Sequence, residues 1–261
     1  MKLKVNFVGV VLLIIFVSSI FAQQTDFPVL KGPYFGQKPP GQTPQRFKPE
    51  VFKRGKYAEP VFLFSADGRE CIFTASGGIY FTELKNGIWT TPSNTNTYGG
   101  FTDFEPNLSP DGKRLFFNSL NRPLPAGIEK PRVPIFVSER TINGWTKPEY
   151  LGFGGMYATL SDKGNIYFTI RKDGVDCLAM KRFVNGKNQD TEIIPAPVYS
   201  KNYHDQHPCI APDGSFLIFD SENRPKKNQC GLFISFKQPD GSWTEPVNLG
   251  DFIKQDNAAL A

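Results

Sequence analysis

Three residues able to carry chemistry recur at one offset from a tight turn. Glu105, Tyr157 and His207 each stand seven residues ahead of a turn glycine, at Gly112, Gly164 and Gly214. Asn257 takes the same place near the C-terminus. Glu59 joins the set if the first unit holds two extra residues, a change that keeps its facing because strand side chains alternate with period two. Asp103 and Asp205 lie just before two of these positions, and Arg122, Arg171 and Arg224 follow the next apolar run. Carboxylates, a phenol, an imidazole and guanidinium groups around one opening suit an anionic or sugar-like ligand. Glu59 and Glu105 would alternatively supply the acid and base of a glycoside- or lactone-type hydrolysis. The plainer reading is a water-filled opening in which Asn121-Arg122-Pro123 and Asn223-Arg224-Pro225 clamp their loops.

Other chemistries find less support. His204-Asp205-Gln206-His207 lacks the third ligand that a catalytic zinc site uses, so neither a metal nor a cofactor is expected. A Gly-x-Ser-x-Gly elbow and a Gly-rich phosphate loop are both absent from the sequence. Asp67, Asp111, Asp162 and Asp213 suggest calcium by type, but their place in glycine turns assigns them a structural role.

The residues of the opening meet only if the segments carrying them surround a common axis. Phe104 to Ser119 and Gln206 to Ser221 are two copies of one phrase, with weaker copies around Asp67-Gly68 and Asp162-Lys163-Gly164. Glycines at 68, 112, 164 and 214 give gaps of 44, 52 and 50 residues, the period of a propeller blade. Each unit parses into four short strands: an apolar stretch before the turn, a β-branched and aromatic stretch after it, a third run such as Ile135 to Ser138, and an outer strand. The outer strand opens on a second phrase, seen as Trp89-Thr90-Thr91-Pro92, Trp145-Thr146-Lys147-Pro148 and Trp243-Thr244-Glu245-Pro246. Pro suits an edge strand, and the tryptophans are expected to pack between blades. The expected fold is therefore an all-β propeller of four-stranded antiparallel blades. Five blades are expected, with six as the alternative. The repeat units run at about 58–100, 101–152, 153–200 and 201–250, with a partial unit at 251–261. Phe47 to Phe52 reads as a stray outer strand that closes the ring with that last unit, which leaves no open sheet edge. The final unit stops inside its first strand, as a shortened chain would.

Residues 1–22 read as a secretory signal: Lys2 and Lys4, an apolar run over Val8 to Phe16, and small residues before Gln23. Its removal lowers the formal charge from +5 to +3 by the loss of those two lysines. So small an excess argues against nucleic acid, and no membrane span is expected once the signal is gone. Residues 23–46 form a Pro/Gly-rich lead-in, and 47–261 the propeller domain. Cys71, Cys177, Cys209 and Cys230 form no dense framework; they read as buried strand residues, with Cys209 and Cys230 the pair to test for a bridge.

The Ser-Pro-Asp-Gly phrase and the apolar run behind it resemble the WD-like propeller repeats of TolB-type exported proteins. Asp205 to Ser221, Asn223-Arg224-Pro225 and Leu232 to Trp243 look like one complete repeat of that group. The resemblance covers about residues 47–261 and implies the fold; such repeats serve scaffolds, peptidase propeller domains and exported proteins alike, so it implies no single task. The expectation is a secreted or periplasmic monomer, a non-catalytic binding module for an envelope protein or glycan, with the hydrolase as its alternative.

Overall fold

A computed structural model describes residues 27–38, 47, 62–65, 67–75, 78–94, 100–142, 144–224 and 230–250. The signal segment, Glu59, Asn257, the proposed closing strand beyond Phe47 and the partial unit lie outside them.

Among the described residues, four antiparallel sheets stand in a ring and make four propeller blades. Blade 1 holds β1 (Phe62–Phe64), β2 (Glu70–Ala75) and β3 (Gly78–Lys85), with β4 (Ile88–Trp89) and β5 (Ser93–Asn94) both pairing with β3. Blade 2 holds β6 (Asp103–Leu108), β7 (Arg114–Ser119), β8 (Pro134–Thr141), the short β9 (Gly144–Trp145) and β10 (Glu149–Gly154). Blade 3 is β11 (Met156–Leu160), β12 (Ile166–Lys172), β13 (Val175–Val184) and β14 (Lys187–Ile193). Blade 4 is β15 (His204–Ile210), β16 (Phe216–Glu222), β17 (Cys230–Phe236) and β18 (Val247–Asn248). The inner strand β11 packs against both β6 and β15, which orders blades 2, 3 and 4 around the axis.

The turn residues behave as their chemistry dictates. Gly68, Gly112, Gly164 and Gly214 all have φ between 67° and 79°, which only glycine adopts without strain. Asp111 accepts the Ser109 hydroxyl at 2.6 Å and the Lys113 N–H at 3.1 Å, so its carboxylate is spent on the turn. Those donors hold it below the usual carboxylate range, the Ser109 hydroxyl first. Asp67 does the same with Ser65 and Arg69.

Apolar side chains of neighbouring blades interdigitate. Tyr167, Leu178 and Ile194 of blade 3 meet Leu217, Phe219 and Trp243 of blade 4. Phe116 and Ile135 of blade 2 meet Leu160 and Phe168 of blade 3, and Ile72 of blade 1 meets Leu115 and Phe117 of blade 2. Trp243 thus packs between blades, as does Trp145, over whose ring Arg140 sits at 4.4 Å. Trp89 instead packs against the lead-in. Phe27, Phe35 and Phe47 cover that face of blade 1, and the Trp89 indole N–H donates to the Gly32 carbonyl at 2.7 Å. Part of the Pro/Gly-rich segment is therefore a packed cover, although it has no periodicity.

All four cysteines are free thiols; Cys71 and Cys177 are buried, Cys209 and Cys230 exposed. The expectation that all four are buried fails for the last two. The Cys209–Cys230 bridge fails as well, because β16 lies between their strands. Two strand spacings alone hold them about 9–10 Å apart, beyond the reach of a disulfide. Among the described residues, no helix is long and apolar enough to cross a membrane.

Candidate functional site at the channel mouth

The innermost strand of blades 2, 3 and 4 carries the same irregularity. Pairing runs Phe104↔Asn118 then Asn107↔Phe116 in β6, so Glu105 and Pro106 face one residue. It runs Met156↔Thr169 then Thr159↔Tyr167 in β11, and Gln206↔Asp220 then Cys209↔Ile218 in β15. Each is a one-residue bulge, a device that re-aims a side chain. Its first residue is Glu105, Tyr157 or His207, with φ of 53°, 59° and 49°. A left-handed bulge position ordinarily takes glycine, and holding another residue there costs of order 1–3 kcal/mol. Three times the chain accepts that strain and places an acid, a phenol or an imidazole.

The three converge. Tyr157 and His207 rings lie 3.7 Å apart between centroids, and His207 Nδ1 is 2.5 Å from Asp220 Oδ1. Burial pushes the Glu105 carboxyl up, against the pull of His207. Burial, then the nearby charges of Glu105, Asp220 and Asp176, push the Tyr157 phenol up to about 12. The Gln206 amide donates to Asp176 Oδ2 at 2.7 Å, which ties the cluster to β13. All three side chains are half-buried, so the group lines an opening. Asp220 and Asp176 escaped the sequence reading. Asp220 sits opposite Gln206 on β16, and pairing register would have found it.

Glu105 has a pH consequence with a definite sign. Its raised pKa means the folded state holds that proton more tightly than the unfolded chain, so ionising it destabilises the fold as pH rises through the folded value. Glu105→Gln is expected to raise Tm at about pH 7 and to leave it unchanged below about pH 4, where both states are protonated. Thermal melts across that range check it; an equal shift at both pH values would contradict it.

The other named residues are placed elsewhere. Arg122 is 8% exposed and grips Asp103 with two nitrogens, at 2.9 and 2.6 Å, between the rings of Phe101 and Phe117. Arg224 is 7% exposed, donates to Asp205 at 3.2 Å and to the Val198 carbonyl at 2.5 Å, and sits 4.3 Å over Tyr203. These arginines turn inward as loop clamps, and the carboxylates of Asp103 and Asp205 are buried with them. Arg171 does lie at the mouth, half-exposed, with Asp176 at 3.1 Å. Among the described residues no group of three His, Cys, Asp or Glu side chains is arranged to hold a metal ion.

No protein-family model and no curated protein matches the chain. Solved structures do. A protein described as TolB from Agrobacterium tumefaciens aligns at 18% identity and TM-score 0.43, over 71% of this chain and 78% of that one. An oligogalacturonate lyase in complex with manganese aligns at 14% identity and TM-score 0.45, over 69% of this chain and 50% of that one. A protein described as a 6-phosphogluconolactonase from Bacteroides uniformis aligns at 17% identity and TM-score 0.39, over 71% and 55%. None of these likenesses assigns this chain a task.

Proposed function

We propose that the chain is an exported β-propeller that binds a protein or glycan partner, in the cell envelope or outside the cell, through the mouth formed by Glu105, Tyr157 and His207. One observation carries this reading: three successive blades hold a chemically capable, non-glycine side chain in a strained bulge and bring it to a shared opening. The neighbouring carboxylates add acceptors for hydroxyl or amide donors, and the Tyr157 ring adds an apolar face on which a sugar could stack. Export rests on the signal-like first 22 residues, and TolB-type membership on the repeat phrase. A fifth blade, built from the segment around 47–52 and the last eleven residues, completes this reading; intact mass of the secreted product checks the signal cleavage it assumes.

The binding test uses immobilised glycans and envelope proteins probed with the purified chain. His207→Ala and Tyr157→Leu are each expected to weaken a specific interaction about tenfold with the fold retained by circular dichroism. Retention of binding by both variants would remove the mouth from consideration.

Hydrolysis is the second reading, favoured by a carboxyl with raised pKa beside a His–Asp pair, a combination that can move protons. The partner carboxylate it first called for, Glu59, lies outside the described residues. A panel of chromogenic glycosides and lactones decides: turnover that vanishes in Glu105→Gln would replace the binding reading.

A further inference from the structure

A cleft of about 240 Å³ opens between blades 2 and 3 on the face that carries the mouth. It lies where blade 3 lacks the clamp of its neighbours. The residue before Met156 on β11 corresponds by register to Asp103 and Asp205, and there the chain has Gly155. Three positions past the strand-pair residue that matches Ser119 and Ser221, blade 3 has Asp173 where blades 2 and 4 have Arg122 and Arg224. The clamp of blades 2 and 4 is therefore absent from this corner of blade 3, where the cleft lies.

The walls are mostly apolar: Pro131 and Val133 on one side, Met156 and Ile170 on the other. Charge is confined to three residues, Arg132, Arg171 and Asp176. Arg132 is exposed and makes no hydrogen bond or ion pair with any described residue. Arg171 spends one nitrogen on Asp176 at 3.1 Å and another on the Gly174 carbonyl at 2.8 Å. The three groups sum to one positive charge. Thr169, also in the wall and 5% exposed, has a hydroxyl without a hydrogen-bond partner among the described residues. Such a hydroxyl costs free energy until something answers it.

We propose that this cleft captures the free C-terminal carboxylate of a protein partner whose last side chain is apolar. A single positive charge balances a carboxylate and falls short of a phosphate dianion. Guanidinium groups pair with carboxylates through two parallel hydrogen bonds. Pro131, Val133, Met156 and Ile170 offer an apolar side chain its burial and offer the hydroxyls of a sugar almost nothing. The volume is below that of pockets enclosing whole ligands, which fits the end of a chain. Capture of a terminal carboxylate is an established mode of peptide recognition. Beyond the mouth reading, this site names a partner class; it shares Arg171 and Asp176 with the mouth's edge and adds Arg132, Thr169 and apolar walls of its own.

The test is fluorescence polarisation with a short N-terminally labelled peptide ending in leucine, against the same peptide as its C-terminal amide. The free acid should bind saturably, and the amide at least about tenfold more weakly. Arg132→Ala should weaken the acid about tenfold with an unchanged melt, and Arg132→Lys less. Equal binding of acid and amide overturns the proposal, as does no saturation at millimolar peptide. Arg132-dependent binding of glucuronate or a phosphopeptide in place of the leucine peptide overturns it too. His207→Ala should leave the peptide affinity intact, so failure of the mouth reading and failure of this one give different results.

Discussion

Arg224→Ala is expected to lower the unfolding free energy by about 3–5 kcal/mol, a fall in Tm of about 10 °C, as read by thermal or urea melts. The guanidinium is 7% exposed and holds Asp205, itself 1% exposed, together with the Val198 carbonyl. Removing it strands a carboxylate that retains, among the described residues, only the Ser221 hydroxyl as a donor, at 2.5 Å. Burial already pushes the Asp205 carboxyl up, with Ser221 and then Arg224 pulling it down; without the arginine it protonates more readily still. An aromatic packing site is lost as well, since Tyr203, Phe219 and Phe233 surround the guanidinium at 4.3–5.9 Å. Replacing both partners, as Asp205→Leu with Arg224→Met, should recover much of the loss, because a buried pair costs most when one charge is left unanswered. A Tm within about 2 °C of the parent for Arg224→Ala would show that the clamp holds nothing. The same argument extends to Asp103 and Arg122, nineteen residues apart like Asp205 and Arg224.

These clamps show where reading the chain succeeds and where it stops. The turn glycines and the alternating runs behind them are local signals, and the strands formed around them. The convergence of Glu105, Tyr157 and His207 was legible because repetition supplies the geometry that one unit cannot. Their backbone strain was not: nothing in Glu-Pro, Tyr-Ala or His-Pro announces a left-handed residue. Arg122 and Arg224 could be read both as ligand contacts and as loop clamps because charge type says nothing about burial, whereas an Asp at a fixed earlier offset does. Blade 3 could have taught this, since it loses both partners together. The tryptophan phrase concealed a second signal in the residue beside it. Thr90, Thr146 and Thr244 each accept a third-strand N–H through the hydroxyl, from Glu83, Glu139 and Phe236, and offer a carbonyl to Thr82, Ser138 and Ser235. The recurring Trp-Thr pair therefore joins packing to edge hydrogen bonding. The Phe27–Phe35 cover stayed hidden because aromatic docking without regular spacing leaves no pattern.

Gly155→Ala is expected to destabilise the chain by about 1–3 kcal/mol and to distort the backbone that lines the inter-blade cleft. A Cβ at this position would lie 2.4 Å from Phe168 Cδ2 and 3.1 Å from the Thr169 carbonyl oxygen. The backbone cannot swing aside freely, because the Gly155 N–H donates to the Val133 carbonyl at 3.0 Å and its own carbonyl accepts the Asn118 amide at 2.7 Å. Nor can Phe168 retreat without loss: it is fully buried, with Phe153 5.0 Å away between ring centroids. The strain therefore goes into the joint between β10 and β11, where Gly154 has the same problem against Pro131 at 2.5 Å. Trimming the obstacle separates this account from a general intolerance of change. Phe168→Leu alone should destabilise by opening space, yet combined with Gly155→Ala it should cost less than the sum of the two, since each relieves the other. Strict additivity in chemical denaturation would show that the added methyl and the ring never meet. Peptide polarisation on Gly155→Ala then links fold to site: Gly154, Gly155 and Met156 line the cleft, so the shift that the clash with Phe168 forces on them should weaken the leucine-ended peptide while Arg132 and Arg171 remain in place.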